Sequence, residues 1–450
     1  MSFNRHIIKD LIDWRRSPHR KPLILRGARQ VGKTTLVQLF AKEFSHFVSI
    51  NLERPQHQKY FTSYDDAKQI TEALLLDFNI PFSELNRTLL FIDEIQESPK
   101  AIALLRYFYE DLPHLAVISA GSLLEFTLRN VQHFPVGRVQ YLYLSPMNFD
   151  EFLQAIGQTE ALKALRTLPV SQTAHSTLLR LFHIYTNLGG MPEVVKMYTK
   201  TDSISSASSV YESIWNTYKD DVEKYGASES EKRIIRHILD TAAFEVDHRI
   251  TFQNFGASNY KSREVGEAMR KLDDAKIIQL IYPTTSLKLP ILPDFKKSPR
   301  LQFLDTGILN HIVSIQSKIL AIDDLADAYK GAIIPHIIFQ ELISLNKTSY
   351  NVPQFWVRQK NQSSAEVDLV LNYQDFVIPI EIKSGKIGKL KSLIQFVEMS
   401  DHPLAIRMYA GKLSIENHTT PKGKAFKLLN LPYYLGTQLP KYLKYFADLK

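Results

Sequence analysis

The chain has 450 residues, 44% of them hydrophobic and 23% charged, with a net charge of +8 and an isoelectric point near 9.2. That composition suits a soluble globular protein of roughly two to four domains, and no run approaches the ~20 apolar residues of a membrane span. Cysteine is absent, which excludes disulfides, thiolate zinc sites and cysteine nucleophiles, while the basic balance is compatible with a polyanionic partner.

The first segment, MSFNRHIIKDLIDWRR, mixes charges with apolar residues and has no signal-peptide core. It reads as an amphipathic helix with Ile7, Leu11, Ile12 and Trp14 inward, while the absence of cysteine points to a cytoplasmic location. An apolar strand, Leu23 to Arg26, then runs into Gly27-Ala28-Arg29-Gln30-Val31-Gly32-Lys33-Thr34-Thr35. This is G-x-x-x-x-G-K-T between a strand and a helix. The glycines let backbone N–H groups turn inward around an anion, and the helix N-terminus adds partial positive charge. Lys33 is expected on the β- and γ-phosphates of ATP, and the Thr34 hydroxyl on Mg²⁺.

Up to about residue 170, strand-like and helix-like runs alternate as in βαβ units. Strands are expected at Pro22–Arg26, Phe47–Leu52, Leu89–Asp93, Leu115–Ala120 and Val139–Leu144. The third ends in Asp93-Glu94. A continuous apolar run suits a parallel strand buried on both faces, whose C-terminal end faces the ligand crevice. Asp93 is expected to hold Mg²⁺ and Glu94 to polarise the attacking water.

Ala161 to Thr177 reads as a boundary, and Asn187 to Glu193 as a turn between helices. The Ser-rich stretch Ser203 to Ser209 reads as a loop. Ser262 to Ala275 carries Val265, Ala268, Met269 and Leu272 at helical spacing, followed by a strand, Lys276 to Tyr282. Helix, helix, strand is the outline of a winged helix-turn-helix, which either enters a DNA groove or serves as a connector. Leu289 to Arg300, rich in Pro and Lys, reads as an exposed linker or wing, and Asp305-Thr306-Gly307 as structural.

From Gly331 the pattern is helix, strand, strand, strand, helix. Asp368 lies in one strand, and Glu381-Ile382-Lys383 in the next. Period-two alternation puts Glu381 and Lys383 on one face, where Asp368 can converge. Two carboxylates would bind a divalent cation and a lysine would position water, a second metal site of the kind that cleaves phosphodiesters. A hairpin carrying an ordinary acid–lysine pair explains the same residues. Lys386, Lys389 and Lys391 suit a solvated helix face or a phosphate backbone. Trp356, Arg358 and Lys360 could clamp nucleic acid, and Trp356 could equally anchor a core.

Taken together, RGARQVGKTT, LLFIDEIQ, AGSLLEF, VGRV with LSPMNFDEFL, GGMPEVV, YPT, LQFLDTGILN, AEVDLVL and PIEIKSG resemble a bacterial and archaeal family of AAA-type ATPases. In that family a P-loop domain is fused to a C-terminal domain with a restriction-endonuclease-like core. The resemblance implies an α/β fold: a P-loop parallel sheet with a helical lid, a winged-helix-like middle, and a smaller endonuclease-like α/β domain. The expected divisions are 1–170, 171–235, 236–300 and 301–450. The resemblance also implies ATP hydrolysis with Mg²⁺, Ser119 or Ser122 as γ-phosphate sensor, and Arg138 on the transition-state charge in cis or in trans. An arginine in trans would demand a homo-oligomer. One departure stands out: Pro335 occupies a helix position where the family pattern carries an acid, and Glu341 replaces it only in a different helix register. The reading is a P-loop ATPase controlling a nucleic-acid-binding domain. Its alternatives are an ATP-gated nuclease and a regulatory switch with a catalytically dead nuclease-like domain.

Overall fold

The computed structural model describes residues 3–121, 135–222, 226–246, 248–316, 331–348, 352–359, 365–385 and 390–448. Ser122, Lys360, Lys386 and Lys389 lie outside them. The chain forms two compact units, one built mainly from residues 1–145 and the other mainly from 146–450.

In the first unit a helix, α1 (Ile7–Arg16), precedes the strand β1 (Leu23–Arg26). Ile7, Leu11 and Trp14 of α1 are buried and Ile12 is half-buried. Next come α2 (Lys33–Phe40), β2 (His46–Asn51), α3 (Pro55–Ser63), α4 (Ala67–Asp77), β3 (Thr88–Asp93), α5 (Pro99–Asp111), β4 (Ala116–Ala120) and β5 (Gln140–Tyr143). The strands form one five-stranded sheet in the order β2-β3-β4-β1-β5, with parallel pairing throughout. Each strand lies within the stretch expected for it, give or take a residue. β3 and β4 are buried along their whole length, as a parallel sheet covered on both faces requires. Ile50, Ile92, Leu74, Ile102, Leu105 and Phe108 belong to one core joining the sheet to α4 and α5. Ile92 of β3 and Ile24 of β1 both lie opposite Ser119 of β4, so the ends of β1 and β3 reach the same edge of the sheet.

The second unit opens with α6 (Phe149–Ala155), α7 (Thr159–Arg166), α8 (His175–Leu188), α9 (Pro192–Thr201) and α10 (Ser208–Asp220). The two units divide between residues 145 and 146, before α6. Then follow α11 (Glu229–Thr241), α12 (Ser262–Asp274) and an antiparallel pair, β6 (Ile278–Ile281) and β7 (Arg300–Phe303). Val265, Ala268, Met269 and Leu272 form the buried face of α12. The segment joining β6 to β7 is only partly the exposed linker expected. Leu287, Leu289 and Ile291 pack on the core around Trp356, while Leu292 and Phe295 are 64% and 71% exposed.

After α13 (Thr306–Ile312) and α14 (Ile333–Leu345) come β8 (Gln354–Val357), β9 (Glu366–Tyr373), β10 (Phe376–Ile382), α15 (Lys391–Met399), β11 (Leu404–Tyr409), β12 (Ser414–Thr419), β13 (Ala425–Pro432) and α16 (Leu439–Asp448). The six strands form a mixed sheet in the order β12-β13-β11-β10-β9-β8. β8, β9 and β10 pair antiparallel, whereas β11 pairs parallel with both β10 and β13. Leu393, Phe396 and Val397 of α15 cover the face carrying Val367, Val370 and Val377. Trp356 belongs to this core, edge-on to Phe396 at 5.1 Å, and so is a packing anchor, with no free face for a base.

Candidate functional sites

The loop after β1 has the backbone that a phosphate cradle requires. Gly27 takes φ 144°, Gln30 φ 61° and Gly32 φ 95°. A Cβ on Gly27 would lie 2.3 Å from the Leu144 carbonyl oxygen, so no side chain fits there. Lys33 opens α2 and is buried. Its Nζ donates to the Gly27 and Ala28 carbonyls at 2.9 and 2.8 Å, holding the ammonium inside the loop. Burial pulls its pKa down to about 8, against the opposing charges of Glu94 and Asp93.

Arg5 was not foreseen. Its guanidinium is buried and donates to Val31 O of the loop at 3.2 Å and to Ser145 O at 2.7 Å. It buttresses the loop from the outside, and no sequence pattern joins it to a motif 26 residues away. Arg26 likewise serves the sheet. It donates to the Tyr143 hydroxyl at 2.9 Å and lies over the Tyr141 ring at 4.1 Å.

Asp93 ends β3 on the same edge. The Thr34 hydroxyl donates to its Oδ2 at 2.8 Å, and the Glu94 N–H to its Oδ1 at 3.1 Å. Burial raises the Asp93 pKa, and the Thr34 hydrogen bond opposes the rise. A hydroxyl and a carboxylate in contact beside the loop are a hard-oxygen pair of the kind Mg²⁺ takes. Glu94 sits in the left-handed region at φ 52°, ψ 47°, uncommon for a residue with a Cβ and characteristic of strained functional positions. The Gln96 amide donates to Glu94 Oε2 at 2.6 Å and so fixes the carboxylate.

Ser119 is fully buried, its hydroxyl 3.4 Å from Leu23 O. Arg138 is paired with Glu110 of α5 at 2.8 Å.

In the second unit Asp368 and Lys383 line one cavity of about 310 Å³, together with Arg300, Pro335, His336 and Ser384. Asp368 Oδ2 accepts the Ile382 N–H at 3.0 Å, while Oδ1 faces Arg300 at 3.4 Å. Lys383 Nζ donates to Glu381 Oε1 at 2.5 Å. Glu381 is buried, and its Oε2 has no hydrogen-bond partner among the described residues. Burial and the neighbouring Asp368 push its pKa up. Glu341 does not replace the acid missing at Pro335. It is fully buried away from the cavity, accepting the Phe149 N–H at 3.0 Å and the Tyr185 hydroxyl at 2.6 Å. Asp305 is structural: it caps α13 through Ile308 N at 3.1 Å and accepts Gly190 N at 2.6 Å.

Comparison with known proteins adds three matched segments. Residues 19–153 match an AAA domain family, residues 179–319 a domain of unknown function (DUF8612), and residues 330–434 a domain of unknown function (DUF4143). No curated protein matches. Among solved structures the chain is similar to the Walker-type ATPase PABY2304 of Pyrococcus abyssi, at 16% identity and TM-score 0.44 over 69% of this chain and 96% of that one. It is also similar to a STAND signal-transduction ATPase with a tetratricopeptide-repeat sensor from Pyrococcus horikoshii, at 12% identity and TM-score 0.29, covering 77% of this chain and 46% of the other. Drosophila ORC bound to DNA gives 12% identity and TM-score 0.26, over 70% and 87%. The matched family, the cradle around Lys33 and the Thr34–Asp93 pair agree: the N-terminal unit carries a P-loop ATPase domain of the AAA type.

Proposed function

We propose that this protein is a Mg²⁺-dependent ATPase whose nucleotide state controls a nucleic-acid-binding C-terminal unit. The observation that carries the ATPase reading is the Thr34–Asp93 hydrogen bond of 2.8 Å beside the Lys33 cradle. Thr34 and Asp93 would hold Mg²⁺, which neutralises charge on the phosphates. Lys33 leaves the two loop carbonyls for the β- and γ-phosphates. Glu94, held by Gln96, orients the attacking water and accepts its proton. The resemblance gives Ser119 or Ser122 the γ-phosphate; Ser122 lies outside the described residues, and the Ser119 hydroxyl faces Leu23 O at 3.4 Å. Arg138 would serve the transition state by exchanging Glu110 for the γ-phosphate.

Nucleic acid is the reading for the C-terminal unit because the chain is basic and the β6–β7 connection presents exposed Phe295 and Lys296 beside Lys297. A flat aromatic among lysines suits bases and phosphates. α12 is less suited to a groove. Arg263 is held by Glu267 at 2.9 Å and Lys271 by Glu231 at 2.6 Å. A second reading, DNA cleavage, requires a divalent cation in the cavity that Asp368 and Lys383 line.

Turnover of ATP by wild type, Lys33→Ala and Glu94→Gln tests the first reading. Loss of nucleotide binding in Lys33→Ala, with binding but no turnover in Glu94→Gln, is expected. Normal hydrolysis by Glu94→Gln would remove Glu94 from its role. Incubation of plasmid DNA with Mg²⁺ or Mn²⁺, comparing wild type with Lys383→Ala, separates binding from cleavage.

A further inference from the structure

We infer that Arg300 stands in the place of a divalent cation, so that the C-terminal centre is neutralised by the chain's own side chains and holds no metal. The inference concerns the second unit alone and is independent of the ATPase reading.

Three carboxylates converge where β9 meets β10: Glu366, Asp368 and Glu381. Three cations meet them. Arg249 reaches Glu366 Oε2 at 3.2 Å. Arg300 pairs with Glu366 Oε1 and with Asp368 Oδ1. Lys383 takes Glu381 Oε1. Both oxygens of Glu366 and both of Asp368 are therefore engaged, the last by the Ile382 N–H. Among the described residues, Glu381 Oε2 is the one carboxylate oxygen of the three acids left over.

The guanidinium is built in. Arg300 begins β7, its backbone paired with Ile281 of β6. Its charged end lies 4.6 Å from the centre of the Phe355 ring. A planar fork that stacks on a ring and spans two acids is a role that arginine fills and lysine does not. A metal entering here would have to displace it from Asp368.

The helix that would supply a further acid offers none. Pro335 lines the cavity, in the first turn of α14, where a missing N–H costs nothing. Glu341 is committed to Phe149 N and Tyr185. Among the described residues no group of three His, Asp or Glu side chains is disposed to hold a metal ion. The chemistry follows from the substitution. A bound metal lowers the pKa of its water and so makes hydroxide at neutral pH. A guanidinium keeps its protons and cannot coordinate water, so it neutralises the acids without generating a nucleophile.

The test is Mn²⁺ binding to the full-length chain without nucleotide, followed by loss of the free-ion paramagnetic resonance signal. Wild type and Asp368→Asn are expected to bind the same amount. Arg300→Gln is expected to gain about one Mn²⁺ per chain, and the added Asp368→Asn change should abolish that gain. Mn²⁺ bound by wild type and lost in Asp368→Asn would overturn the inference. A folded Arg300→Gln protein with no gain would remove Arg300 from its role. Circular dichroism reports whether that variant folds, and if it does not, the wild-type and Asp368→Asn pair decides alone.

Discussion

Thr34 and Asp93, 59 positions apart, share a hydrogen bond of 2.8 Å from hydroxyl to carboxylate. It is the contact through which the loop after β1 and the end of β3 become one site. Replacing Asp93 with Asn keeps an oxygen for Thr34 but removes the charge. The expected result is a fall in ATP turnover on the order of 10²-fold, as when one preorganised charge-stabilising group is lost. The Mg²⁺ concentration needed for half-maximal rate should also rise. Thr34→Ser should keep most of the activity, and Thr34→Val should not. Steady-state ATPase assays across a Mg²⁺ titration decide.

Arg5 makes a prediction of another kind. In Arg5→Ala the Val31 and Ser145 carbonyls lose a charged donor that is itself buried. Hydrogen bonds to charged groups contribute about 1.5–3 kcal/mol. A loss of that order is expected in chemical denaturation, with weaker binding of a fluorescent ATP analogue. An unchanged analogue affinity would show that the loop keeps its shape unaided.

Burial pushes the Glu341 carboxyl from its ordinary value of 4.5 up to about 8. The folded protein therefore keeps a proton that the unfolded chain releases above about pH 4.5. Glu341 contributes most at low pH, and its contribution is lost as pH rises through about 8. The slope cannot exceed about 1.4 kcal/mol per pH unit for one proton. Gln mimics the protonated acid: its oxygen can accept from Phe149 N and Tyr185, while its amide takes the place of Oε2, which has no partner. Denaturation of wild type and Glu341→Gln at pH 5 and pH 8 should show the variant losing less stability between the two. Equal losses would place the proton elsewhere.

His336 acts in the opposite direction. Burial drives its pKa down to about 3, and the neutral ring lies 2.9 Å from the Phe303 N–H through Nε2. The unfolded chain takes up a proton below about pH 6.5 that the folded one refuses. Stability should therefore fall as pH drops from about 6.5 toward 3. Imidazole chemical shifts followed through an acid titration would show His336 still neutral at pH 5.

If nucleic acid binds along the β6–β7 connection, the double change Lys296→Ala with Lys297→Ala removes two phosphate contacts. The logarithmic salt dependence of DNA affinity should then flatten by about 0.9 for each contact. Arg263→Ala on α12 should leave it unchanged, because Arg263 already belongs to Glu267. Fluorescence anisotropy at several salt concentrations reads the slopes, and the reverse pattern would move the interface to α12.

The sequence showed those parts whose pattern is local. Strands β1 to β5 are apolar runs with turns between them, and the cradle is a contiguous motif. Asp368, Glu381 and Lys383 were legible as neighbours because a hairpin register is short-range. What escaped was made by distance. The pairing of β11 with β10 and β13 joins segments that carry no mutual signal. The guanidinium that meets Asp368 comes from a strand 68 positions earlier. Glu341, weighed as a substitute acid, lies on a helix buried on nearly every side. Such a helix has no amphipathic stripe from which to read which way the residue turns.

The placement of Arg300 has a practical corollary for anyone dividing the chain. The matched segments end at 319 and begin again at 330, which invites expression of the C-terminal piece alone. That piece would keep Glu366, Asp368 and Glu381 but shed both arginines that face them. Mutual repulsion would then be relieved by whatever ion the buffer contains. If Arg300 stands in for a cation, a fragment prepared in this way is expected to take up metal that the full chain does not, and cleavage measured on it would describe the fragment alone.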